Sequence, residues 1–102
     1  MSARQIEQIK KVHDEIQSVN HEWPSESREL GDQYGLFLEK LLARAVGARE
    51  IIFTYAVAKT TEHGHVTEFS AVLFTERLLV VGSIAVPPIP PPYRPDSLET
   101  VS

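Results

Sequence analysis

The chain reads as an α+β domain: an N-terminal helical hairpin packed on a three-stranded antiparallel β-meander, with a C-terminal proline-rich extended tail. Three observations predict it. Apolar residues recur at helical spacing through the first 46 positions. From Ile51 the pattern changes to runs of β-branched and aromatic residues. Six of the seven prolines crowd between Pro87 and Pro95. The folding unit is then 1–86, near the size at which one core becomes marginal, and 87–102 is an arm.

The first helix is expected over about 3–22. Ile9, Val12, Ile16, Val19 and Trp23 follow one another at alternating spacings of three and four, and Ile6 extends the stripe. That is a heptad-like seam on one helix face, with charged residues elsewhere. Ser2 and Gln5 have the spacing of a capping box, and Trp23-Pro24 ends the helix because the residue before proline avoids the helical region. A second helix follows over about 27–46, capped by Ser25 or Ser27 and closed by Gly47. Leu30, Tyr34, Phe37, Leu38, Leu41, Leu42 and Ala45 mark its expected buried side. Gly31 and Gly35 disfavour a helix interior, so either the helix starts after Gly31 or the pair admits a close neighbour.

Strands are expected over about 51–60, 66–75 and 77–86, joined by a Thr61–Gly64 loop and a tight turn at Thr75-Glu76. The apolar runs Ala71–Phe74 and Leu78–Val81 imply cover on both faces of the last two strands. A single helical hairpin covers only one face. A second copy of the chain is the expected cover for the other, which makes the chain a homo-oligomer, in the simplest case a dimer.

Charge and composition remove several functions. Ten Lys and Arg stand against fourteen Asp and Glu, a net charge of −4, and Lys10-Lys11 is the one adjacent basic pair. Without a clustered positive surface, neither nucleic acid nor an anionic membrane is an expected partner. The charge-free run from Leu78 to Tyr93 is too short and too proline-broken to span a bilayer, and Met1–Gln5 lacks the apolar core of a secretory signal. A cytoplasmic location is the expectation. With no cysteine there is no thiolate site, and no serine elbow or glycine-rich phosphate loop is present. His13-Asp14-Glu15 are helix neighbours about 100° apart and do not converge. Neither a catalytic residue nor a cofactor is expected.

The interaction candidates are therefore the helix stripe Ile9, Val12, Ile16, Val19 and Trp23, together with Pro90, Pro91 and Tyr93 in the arm. The arm reads as a polyproline II rod, whose proline nitrogens also stop the third strand. Pro90-Pro91-Pro92-Tyr93 resembles the Pro-Pro-x-Tyr ligands of WW domains, which implies an alternative role as a ligand for a proline-recognition adaptor. A second alternative is metal binding through His63 and His65, two imidazoles at i and i+2 that share a side of an extended segment but lack a complete ligand set. The run Ala71–Val81 resembles one hairpin of bacterial pleckstrin-homology-like domains, in which an apolar strand passes through a threonine turn into Arg-Leu and another apolar strand. Here one residue separates Thr75 from Arg77 where that family usually has two, and the chain offers fewer strands than that family's barrel needs.

Overall fold

A computed structural model describes residues 2–29 and 31–87. Leu30 and the proline motif with Pro90, Pro91 and Tyr93 lie outside the described residues. Two helices, α1 (Ala3–Val19) and α2 (Asp32–Val46), precede three strands, β1 (Ile51–Thr60), β2 (Val66–Thr75) and β3 (Leu79–Ala85). The strands form one antiparallel sheet in the order β1-β2-β3. Both helices lie on one face of it, α1 chiefly over β1 and α2 chiefly over β3.

Helix α1 opens with the capping box expected from the sequence: the Ser2 side chain accepts from Gln5 N–H, and the Gln5 side chain accepts from Ser2 N–H. It ends three residues before the expected boundary. Asn20 leaves the helix in an extended conformation, where its amide donates to the Ala56 carbonyl at 3.3 Å and its side-chain oxygen accepts from Glu22 N–H. These bonds offer the chain an alternative to another helical turn, and the segment reverses so that Trp23 enters the core. Its indole meets Phe69 edge-to-face, with centroids 4.9 Å apart.

Helix α2 begins at Asp32, later than expected, because Gly31 holds φ at 100° and Asp32 ties back the N–H groups of Arg28 and Glu29. Gly35 then lies inside the helix against the Phe69 ring, where a Cβ would come within 3.0 Å. The buried side of α2 also differs from the expected one. Leu38 and Leu42 are buried, but Phe37, Leu41 and Ala45 are exposed, while Gly35, Glu39, Ala43 and Val46 are inside. The helix is rotated so that Glu39 and Ala43 approach α1, which leaves the Tyr34–Ala45 stripe on the flank away from α1.

The first two strands fall where the sequence places them. Strand β3 starts two residues late because Leu78 belongs to the turn: its N–H donates to Thr75 Oγ1, and its carbonyl accepts from Thr75 N–H. A register shift between Ile51 and Phe53 sends Ile51 into the core and leaves Ile52 and Phe53 outside. The inner face then carries Thr54, Ala56, Phe69, Ala71, Leu73 and Gly82 against the helices. No helix among the described residues is long and apolar enough to cross a membrane.

Candidate functional site

The helix stripe is occupied within the chain. Val12, Ile16 and Trp23 belong to the core, and Ile9 packs against it half-buried. Ile6 and Val19, toward the two ends of α1, remain exposed. Of the residues expected to meet a partner through this stripe, Val19 alone stays exposed at the surface.

Among the described residues, most of the exposed large apolar side chains gather instead on the outer face of the sheet. Strand alternation and register bring Phe53 and Tyr55 of β1 beside Phe74 and Val72 of β2, and these beside Leu79 and Val81 of β3. Phe53 is 55% exposed, Tyr55 57%, Leu79 57% and Val81 64%. Phe53 and Phe74 stack edge-to-face with centroids 5.8 Å apart, which orders the centre of the patch. Farther along the same strands the face turns polar. Ser70 and Ser83 are hydrogen-bonded at 3.1 Å, and Lys59 lies 3.6 Å from Glu68. An apolar centre with a polar border on one side has the composition of an association surface.

Sequence reasoning did not find the buried polar centre between the helices. His13 Nδ1 on α1 lies 2.5 Å from Glu39 Oε1 on α2. Glu39 is 2% exposed, and burial pushes its carboxyl above the ordinary value. The hydrogen bond and charge of His13 pull the other way, Trp23 adds a smaller pull, and Asp14 reinforces the rise. The Trp23 indole N–H is itself buried without a well-formed hydrogen bond. The signal was a glutamate between Leu38 and Leu42, on the side of α2 that turns inward. The centre sets one partly open imidazole against one buried carboxylate. It joins the two helices.

His63 and His65 sit in the exposed β1–β2 loop, where both of their N–H groups donate to Thr61 Oγ1. Gly64 between them has φ of 82°, which breaks the extended geometry that would aim both imidazoles the same way. Among the described residues no three His, Asp or Glu side chains are grouped to hold a metal. Comparison with protein-family models, with curated proteins and with solved structures finds no match.

Proposed function

We propose that this chain is a non-catalytic protein–protein interaction module that self-associates by covering the outer sheet face with the same face of a second copy. The observation that carries this reading is the patch of Phe53, Tyr55, Phe74, Leu79 and Val81, large side chains that an isolated domain leaves in water. With Ile52 they offer on the order of 700 Å² of surface, comparable with the roughly 800 Å² that each partner gives to a standard interface. Two such faces pack about 10 Å apart, and a twofold axis lets one patch serve both copies. The Lys59–Glu68 end supplies a polar rim that limits sliding.

Sedimentation of the full chain and of a Phe53→Glu/Tyr55→Glu double variant tests it. The double variant should lose the face-to-face contact and sediment as a smaller particle at tens of micromolar while keeping its circular dichroism. Equal masses for the two proteins would end the outer-face reading. The role as a ligand for a WW-like adaptor through Pro90–Tyr93 is a separate proposal, tested by deleting those four residues and measuring WW-domain capture.

A further inference from the structure

The two edges of the sheet are treated differently, and the difference points to a second interface. At the β1 edge the strand is bulged between Ile51 and Phe53 and carries the charged Lys59. From α1, Asn20 caps the outward Ala56 carbonyl, and Glu15 accepts a hydrogen bond from the Thr54 hydroxyl. Charge, bulges and covering groups are the devices that keep a strand edge from pairing with another chain. Among the described residues the β3 edge has none of them. Leu79–Ala85 holds no charge and no proline, and its register with β2 is unbroken.

The backbone groups along this edge follow from the ladder. Thr75 N–H donates to Leu78 O at one end, and Val86 N–H to Thr67 O at the other. Antiparallel alternation then bonds Val80, Gly82 and Ile84 to β2 and turns the N–H and C=O of Leu79, Val81, Ser83 and Ala85 outward. Above this edge lies a flank of α2 that packs on the core only at Tyr34. Tyr34, Phe37, Leu41 and Ala45 form one stripe on the side away from α1, with Phe37 51% and Leu41 42% exposed. Tyr34, Phe37 and Ile84 line one open groove, which shows that the stripe adjoins β3.

The geometry points to a second copy of this chain paired along β3, strand against antiparallel strand, with the two α2 helices side by side across the twofold axis. Self-pairing is favoured because one register satisfies the whole edge at once. Centred on Gly82, it sets Leu79 opposite Ala85 and Val81 opposite Ser83, and repeats both pairs by symmetry. That makes about eight main-chain hydrogen bonds, within the ordinary complement of a specific interface. α2 also packs closely on Gly82, since a Cβ there would lie 2.9 Å from both Leu38 and Leu42. Leu41, next to these on α2, is thereby near the axis and meets its own copy, with Phe37 toward the partner's Ala45. No charged side chain lies on the strand to oppose its symmetry mate.

Edge pairing uses a different surface from the outer face and stands or falls separately. The test starts from the Phe53→Glu/Tyr55→Glu variant, which removes the face and leaves the edge. Its expected mass is that of a dimer. Adding Ser83→Pro should weaken that dimer by at least about tenfold, because proline removes an outward N–H and costs no main-chain bond to β2, only the hydroxyl contact with Ser70. Leu41→Glu, placed on the helix, should do the same. Hydrogen exchange on the unsubstituted chain gives a readout free of folding defects. The amides of Leu79, Val81, Ser83 and Ala85 should be protected as well as those of Val80, Gly82 and Ile84. A monomeric face variant, a dimer indifferent to both Ser83→Pro and Leu41→Glu, or four freely exchanging edge amides would each overturn edge pairing.

Discussion

Both faces of the sheet carry large apolar side chains, but the helices cover only the inner one. Toward the helices stand the small Ala56, Ala58, Ala71 and Gly82 and the large Ile51, Phe69, Leu73, Val80 and Ile84. Toward water stand Phe53, Tyr55, Phe74, Leu79 and Val81. The inner face holds small residues where the helices approach closely; at Gly82 a Cβ would press on the ends of Leu38 and Leu42. The outer face also carries large side chains, and no described residue covers it. A face of large apolar side chains contributes little to an isolated domain and much to an assembly.

Substitutions on the two faces should therefore be read by different instruments. The largest expected effect is on the inner face: Phe69→Ala removes the ring that fills the space between Trp23 and Gly35. Denaturant unfolding should show a loss of about 3–5 kcal/mol, enough to unfold a domain of this size at 37 °C. Phe53→Ala, an equal change of volume on the outer face, should cost the monomer about 1 kcal/mol or less and act on the particle mass instead. If the two variants destabilise the monomer equally, the faces do not differ as described.

How much of this was legible in sequence depended on whether the information was local. The capping box at Ser2 and Gln5, the core stripe Ile9-Val12-Ile16, and strands β1 and β2 are set by nearby residues, and they appear where spacing and β-propensity put them. The inward side of α2 was not local. Two apolar stripes run down that helix, and the choice between them depends on Glu39 meeting His13, 26 residues away in the chain. The apolar outer face was implied by the two-sided runs of β2 and β3. That Phe53 belongs to it while Ile51 does not depends on a bulge that spacing alone does not reveal. The buried carboxylate could be suspected from its place between Leu38 and Leu42, but its partner could not.

A smaller effect sharpens the same contrast. Gly82→Ala adds one methyl group to the inner face at 2.9 Å from two leucine carbons. Overpacking of this kind costs about 1–3 kcal/mol, and the leucine ends can shift enough to hold it toward the lower figure. Alanine at Ser83, one residue along and on the outer face, should lose only the hydroxyl contact with Ser70 and change stability by less than about 1 kcal/mol. Chemical denaturation of the two variants side by side decides it. A Gly82→Ala protein as stable as Ser83→Ala would mean that α2 does not press on the sheet there.

The smallest expected effect is a change of slope at the inner polar centre. Burial raises the pKa of Glu39, so the folded chain binds this proton more tightly than the unfolded chain does. Between the ordinary carboxylate value of 4.5 and the raised one, the native state holds more protons. By linkage, the stability contributed by this group is fully present below 4.5 and is lost as pH rises through the raised pKa. Glu39→Gln keeps the shape and an acceptor for His13 but removes the titration. Relative to the unsubstituted protein, the Gln variant should gain stability as pH rises across that window and hold a constant difference above it. Asp14, which faces the same centre and reinforces the shift, gives the control: Asp14→Asn should reduce the slope without abolishing it. Parallel stability–pH curves for the unsubstituted and Glu39→Gln proteins would mean that His13 compensates the buried charge in full. The centre would then act as a neutral strut between the helices, with no pH dependence of its own.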